Sequence, residues 1–494
     1  MPSKQPNFLF ILVDDMGPWA LHSAGNQEIQ TPNLDRLADR GIRFENFFCA
    51  SPVCSPARAS ILTGLMPSQH GVLDWIASGN VDKERMDREG VNNPYGGYHF
   101  ERKPIRYIAS EQTYTSRLAE AGYQLALSGK WHLGDSMTPQ AGFADRWYTI
   151  GKGGAQYYYP DIIENGEIKI ENEYVTTLFT DKALDYLTEM QAKPFYLGVH
   201  YTAPHSPWEE DNHPADIIDL YKDCAFRNNP DVPDHEGLQV PPVYGTPTRR
   251  ENLIGYYAAV TAMDREVGRL LDRLEELGLD DKTFVFFISD NGMCMGHHGV
   301  WGKGNGTFPQ NMYEESIKVP CIIAGPGINE GQVASALYSQ IDLFPTILEL
   351  AAVEPKEDEL NRAGTSFAHV LAGETEHDHH AYICDEYGTV RMLRTKTDKY
   401  IHRSPWGPHA FYDLEKDPSE TNNLFGDPNY ADLILERRHE LETWFGEFSD
   451  PSFDGSHQPV TGLGQLDRVD SKSLRLDKFR EEHRFAPVHE INEG

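Results

Sequence analysis

Cys54 and Arg58 stand in the run Ser51-Pro52-Val53-Cys54-Ser55-Pro56-Ala57-Arg58-Ala59-Ser60-Ile61-Leu62-Thr63-Gly64 and set a nucleophile and a cation one helical turn apart. Pro56 suits the first turn of a helix, where its missing N–H costs nothing. Cys54 is therefore expected just ahead of the helix N-terminus, where the macrodipole favours negative charge on it or near it. Arg58 follows on the same face and can pair with that charge. The stretch reads as a small anion site with a nucleophile in it. A bare Cys-x-Pro-x-Arg also fits a buried turn cysteine beside a surface arginine.

Oxygen ligands come next. Asp14-Asp15 follows the apolar run Phe8–Val13, and Asp290-Asn291 follows the apolar run Thr283–Ile288. Two carboxylates in a loop are often merely solvated, but two buried strands each ending in oxygen donors are more telling. Asp14, Asp15, Asp290 and the Asn291 amide suit Ca2+ or Mg2+ and suit zinc poorly. Lys130 and His132 lie two apart in Gly129-Lys130-Trp131-His132-Leu133-Gly134, just after Gln124–Leu127. They would place a cation and a proton carrier at a sheet edge. His205, between Pro204 and Pro207 in a rigid loop, is a second proton carrier, whereas His200 at a strand end reads as structural.

These groups need a frame that brings strand ends together. The continuous apolar runs Phe8–Val13, Pro194–Val199 and Thr283–Ile288 have the pattern of strands buried on both faces of a parallel sheet. Open sheets of this kind bind ligands at the C-terminal ends of their strands. Helices are expected over Thr31–Ala38, where Thr31 caps, and over Thr113–Ala121, Ala183–Met190, Tyr257–Leu277 and Asp342–Leu350. A charged, polar stretch around Pro355–His380 marks a boundary. The chain thus divides into a catalytic domain 1–375, a C-terminal α+β subdomain 376–450 and a tail 451–494 with no legible function. Short antiparallel strands at Val390–Arg394, Asp398–His402 and Ala410–Leu414, then a helix over Pro428–Phe445, fill the subdomain. Two long irregular stretches remain. Trp75–Arg106, with Trp75, Tyr95, Tyr98 and His99, offers a pocket wall, and Trp208–Arg250 reads as an insertion near the site mouth.

The bulk composition narrows the field. In 494 residues, 76 acidic side chains against 44 basic ones give a formal net charge of -32. That excludes nucleic acid as a partner, since its binding needs basic patches. A site for an anionic substrate must therefore gather its cations locally. No run approaches the ~20 apolar residues of a membrane span. The six cysteines are scattered and the N-terminal residues show no apolar signal region, which together point to a cytoplasmic protein with reduced thiols.

From Cys54 through Gly64 the chain resembles the defining motif of the type I, formylglycine-dependent sulfatases, which belong to the alkaline-phosphatase-like superfamily. Only Leu65, where many members carry Arg or Lys, departs from it. Gly129–Gly134, Pro204–Pro207, Gly296–Gly304 with Tyr313-Glu314, and Phe411–Leu424 resemble further family motifs in family order. The resemblance implies an α/β fold with a large mixed sheet sandwiched by helices and a smaller C-terminal α+β subdomain carrying an antiparallel sheet. It implies that Cys54 is converted to formylglycine by a formylglycine-generating enzyme, and that its hydrate is the nucleophile. Ca2+ (or Mg2+) is expected on Asp14, Asp15, Asp290, Asn291 and the modified Cys54. Arg58 would steady the hydrate, and Lys130 and Lys303 would offset charge on the sulfuryl group. His205 would protonate the leaving alcohol, and His132 would take the proton that expels sulfate. His298 either touches substrate or stabilises its loop. The expected substrate is a small sulfated molecule, a carbohydrate rather than a simple aryl sulfate. A phosphonate or phosphate ester hydrolase and a catalytically silent binding protein are the alternatives. Oligomeric state is not legible.

Overall fold

The computed structural model describes residues 5–91, 97–98, 100–101, 103–385, 389–456 and 464–469. Tyr95, His99 and most of the tail lie outside them. Ten strands form one sheet: β1 Asn7–Val13, β2 Gly41–Phe48, β3 Gln124–Gly129, β4 Trp147–Ile150, β5 Asp161–Glu164, β6 Glu167–Ile170, β7 Phe195–His200, β8 Thr283–Ser289, β9 Cys321–Ala324 and β10 Gln332–Ser339. Their order is β10-β2-β9-β8-β1-β7-β3-β4-β5-β6. The central strands β8, β1, β7 and β3 run parallel, and β9 is antiparallel to both β8 and β2. This is the expected mixed sheet, and its parallel centre is where the apolar runs fell.

Alternation along β1 shows how both faces are used. Leu9, Ile11 and Val13 join one core, under the helices Pro32–Asp39, Val175–Met190 and Pro247–Glu276. Phe8, Phe10 and Leu12 join the other, under Cys54–Thr63, Tyr114–Glu120 and Leu343–Leu350. A second, antiparallel sheet comes next: β11 Ala381–Asp385, β12 Val390–Arg394, β13 Asp398–Arg403 and β14 Ala410–Asp413. The helix Ala431–Phe448 covers it. Among the described residues no helix is long and apolar enough to cross a membrane.

Several local expectations change. Thr31 does not cap its helix, because its hydroxyl accepts from the His22 N–H. The buried Asp264 carboxylate does that work from across the core, accepting from the Asn33 and Leu34 N–H groups. Helix Pro247–Glu276 begins inside the expected insertion, and helix Val175–Met190 begins a full two turns early. Cys54 is the first residue of its helix rather than the residue before it, and extended Val53 precedes it.

Candidate active site

Four neighbouring strands deliver the site from their C-terminal ends. Asp14 and Asp15 follow β1, Asp290 and Asn291 follow β8, Lys130 follows β3, and His205 lies in the loop beyond β7. Backbone bonds lock these ends together: the Asp14 N–H donates to the Ala203 carbonyl at 3.1 Å and the Asp290 N–H to the Val13 carbonyl at 3.0 Å. Asp15 sits at φ 63 and His132 at φ 54, left-handed conformations that non-glycine residues adopt at a cost.

One carboxylate oxygen from each of Asp14, Asp15 and Asp290 lies within 4.8 Å of the other two, and all three residues are buried. Lys130 Nζ donates to Asp14 Oδ2 at 2.5 Å, and Arg58 Nε donates to Asp290 Oδ2 at 2.8 Å. Arg58 Nη1 also donates to the Lys130 carbonyl at 3.0 Å, which ties the Cys54 helix to the end of β3. Lys303 pairs with Asp15 and reaches Asn291 Oδ1 at 3.4 Å. Asn291 Nδ2 donates to Asp15 Oδ1 at 2.8 Å. Burial would raise the Asp14 carboxyl, but Lys130, His205, Arg58 and Lys303 hold it well below the usual carboxylate range. Burial and the charge of Asp14 push Asp290 upward in spite of Arg58. Burial works against the Lys303 ammonium, yet Asp15, Cys54, Asp14 and Asp290 together more than offset it.

This cradle fits a hard divalent cation. Asp14 Oδ1 is buried with no hydrogen-bond partner, and Arg58 Nη2 stands 4.0 Å away from it. Like charges crowded around an unpartnered oxygen are what a bound Ca2+ or Mg2+ would relieve. Asp14, Asp15, Asp290 and the Asn291 carbonyl would hold it.

A cavity of about 370 Å3 opens beside the cradle, lined by Cys54, His132, His205, Lys303, Trp75 and Lys152 among others. Cys54 Sγ marks the place a formylglycine oxygen would occupy. Burial raises the thiol against the pull of Lys130 and Lys303. His132 Nε2 faces the Ile76 carbonyl at 3.2 Å, so it carries the hydrogen, and Nδ1 is buried without a partner. Burial, then Lys130 and Arg58, hold this imidazole well below its ordinary value, hence neutral. His205 Nδ1 donates to the Ser206 carbonyl at 2.7 Å, leaving Nε2, 3.7 Å from Asp15 Oδ2, as its working atom.

The sequence-predicted residues Cys54, Arg58, Lys130, His132, His205, Lys303, Asp14, Asp15, Asp290 and Asn291 therefore converge on one place. His200 is buried against the Lys130 carbonyl at 3.2 Å, a structural role. His298 stacks on Tyr313 with centroids 3.8 Å apart and meets Glu315 Oε2 at 3.0 Å, contacts that brace its loop. No residue of 208–250 lines the cavity among the described residues. That stretch instead backs its wall, with the Phe308 N–H donating to the Gly237 carbonyl at 2.8 Å and the Gln239 N–H to the Gly306 carbonyl at 3.0 Å. Sequence reasoning missed Lys152, Gly153 and Gly154. A Cβ on Gly153 would lie 2.1 Å from His132 Cε1, so this loop closes directly over the imidazole. Its only signal was a lysine set among Gly151, Gly153 and Gly154.

A buried carboxylate cradle, ringed by ammoniums and a guanidinium at the C-terminal edge of such a sheet, defines a hydrolase of the alkaline-phosphatase-like class. More narrowly, the chain belongs to the sulfatase family, whose model matches residues 6–353, and it is a sulfuric ester hydrolase. Residues 296–445 also match the C-terminal region of N-sulphoglucosamine sulphohydrolase. The chain is 29% identical to the N-acetylglucosamine-6-O-sulfatase of Bacteroides thetaiotaomicron, over 91% of this chain and 88% of that one. It is 30% identical to the ulvan-active sulfatase of Formosa agariphila, covering 91% and 82%. A solved structure in complex with its substrate D-glucosamine-2-N,6-O-disulfate superposes with a TM-score of 0.72 at 25% identity, covering 92% of this chain and all of that one.

Proposed function

We propose that the protein removes sulfate from a sulfated carbohydrate, using formylglycine at position 54 and a bound Ca2+, with Mg2+ as the weaker fit. One observation carries this reading: Cys54, His132, His205 and Lys303 line a single cavity beside the three-carboxylate cradle. Relatives named for N-acetylglucosamine 6-sulfate and ulvan support the sugar as substrate. In its modified form, Cys54 would supply the attacking hydroxyl, and Asp14, Asp15, Asp290 and Asn291 would hold the cation whose charge would lower that hydroxyl's pKa. The remaining chemistry belongs to side chains already placed. Lys303 and Lys130 stabilise negative charge on the sulfuryl oxygens. Arg58 holds Asp290 and the end of β3 in register. His205 Nε2 delivers a proton to the leaving sugar oxygen, and neutral His132 Nδ1 accepts the proton released when sulfate departs. Maturation then requires a formylglycine-generating enzyme as a partner.

The test has two parts, both on protein made in a host with that enzyme. The peptide bearing Cys54 should be lighter by the difference between a thiol and an aldehyde. On a panel of hexosamine sulfates, kcat/KM should exceed that on 4-nitrophenyl sulfate, and chelation should abolish turnover. An unmodified thiol, or a preference for the aryl ester, would overturn the reading.

A further inference from the structure

Lys152 lines the same cavity as His205 and Cys54, yet the sulfate-ester chemistry leaves it without a task. Its ammonium donates to the Gly97 carbonyl at 2.6 Å and lies 5.7 Å from the centre of the Tyr98 ring. Among the described residues no carboxylate reaches it at ion-pair distance. Glu101, whose field does reach it, is taken up by the Asn80 N–H at 2.8 Å and by Asn80 Nδ2 at 2.7 Å. Every other cation named at the site, Lys130, Lys303 and Arg58, is already paired with Asp14, Asp15 or Asp290.

The placement is built rather than incidental. Tyr98 is anchored by Asp161 beneath Lys152, and a Cβ on Gly151 would strike the Tyr98 hydroxyl at 1.9 Å. On the other side Gly153 packs on His132 with no room for a side chain. The lysine thus lies at the cavity wall between two glycines whose neighbours crowd any added side chain. A half-buried ammonium facing a substrate cavity, met only by one carbonyl and one aromatic ring, bears a desolvation cost that an arriving anion would offset.

We propose that Lys152 is a specificity-determining residue that binds a second anionic group on the sugar, a carboxylate or a further sulfate, beside the sulfate ester being cleaved. The proposal rests on the reading of the substrate as a sulfated carbohydrate. A charge-assisted contact of this kind is bidirectional in its selectivity, because a neutral substrate leaves the ammonium desolvated and unmatched.

Matched substrate pairs test it. N-acetylglucosamine 6-sulfate is compared with glucosamine 2-N,6-O-disulfate, and a sulfated disaccharide carrying a uronate is compared with its carboxyl-reduced form. The wild type should favour the doubly anionic member of at least one pair by about tenfold in kcat/KM, chiefly through KM, with the preference shrinking between low and high salt. Whichever pair shows it identifies the second anion as sulfate or carboxylate. Lys152→Met should reduce that preference to about twofold or less, and Lys152→Arg should keep most of it. Turnover of neither pair would sink the carbohydrate reading itself. Turnover without preference in the wild type, or equal losses on both members of a pair in Lys152→Met, would sink the role of Lys152 alone. Lys152→Arg, which keeps the charge at the same place, is the control that separates a lost contact in Lys152→Met from a failure to fold.

Discussion

At the scale of single residues, Asp14, Asp15, Asp290 and Asn291 were legible because they follow strands whose sequences are almost purely hydrophobic, so the strand ends announced them. Cys54, Arg58, Lys130, His132, His205 and Lys303 were legible through the short motifs that contain them. Lys152 and Gly153 had no such flag: β4 is short, and the segment after it reads as an ordinary glycine-rich turn. Gly153 nonetheless carries a sharp prediction. A methyl group there would press on the His132 ring, whose Nε2–H···O=C bond to Ile76 fixes which nitrogen is free. Gly153→Ala should lower kcat by ~100-fold or more, the scale expected for a displacement of about 1 Å at a proton-transfer group, a loss larger than any accompanying fall in stability accounts for. Steady-state kinetics beside a thermal melt checks this. A fall in melting temperature matching the loss of activity would mean the loop, and not the imidazole, had been disturbed.

At the scale of elements, the Cys54–Thr63 helix shows how a short motif is held in place. Its residues are all buried, so no amphipathic stripe exists to be read, and only the motif and Gly64 marked its limits. What the sequence did not disclose is the support under it. His70, buried in the following turn, meets Ser60 Oγ through Nε2 at 3.1 Å and accepts the Val72 N–H on Nδ1 at 3.1 Å. An acceptor at Nδ1 demands a neutral ring, and burial lowers its pKa to about 3, against a lesser opposing pull from the Pro56 carbonyl. For a base with a depressed folded value the sign is clear. The stabilisation is complete above the unfolded pKa of about 6.5 and is lost as the pH falls from there toward 3. Between pH 6 and pH 4 the wild type should lose ~1.4 kcal/mol per pH unit relative to His70→Gln. Denaturant unfolding at several pH values measures the difference. Parallel pH profiles for the two proteins would show that His70 titrates normally in the folded state.

At the scale of the whole molecule, the two sheets and the tail converge on the site from outside it. Lys399 of β13 is fully buried between Glu314 at 2.8 Å and Glu420 at 2.6 Å, joining the C-terminal sheet to the segment just beyond Lys303. The tail makes a comparable reach, although its polar composition showed no purpose when read alone. Buried Gln465 accepts the Leu73 N–H on Oε1 at 2.8 Å and donates through Nε2 to the Gly71 carbonyl at 3.0 Å. Its backbone pairs with Trp75 and Ala77, with the Gln465 N–H on the Trp75 carbonyl at 2.8 Å and the Ala77 N–H on the Gln465 carbonyl at 2.9 Å. It therefore clamps the segment that presents both the Trp75 cavity wall and the Ile76 carbonyl on which His132 depends. No local pattern could reveal this, since the partners are nearly four hundred residues apart in sequence. Gln465→Ala leaves a buried N–H and a carbonyl unpaired, a cost of ~1–3 kcal/mol falling on that segment. We expect kcat/KM for the sugar sulfate to drop by roughly tenfold, which corresponds to ~1.4 kcal/mol. The loss should be smaller on 4-nitrophenyl sulfate, which has less need of the Trp75 wall. Equal losses on both esters would place the whole effect in His132, and no loss on either would leave the tail as packing alone.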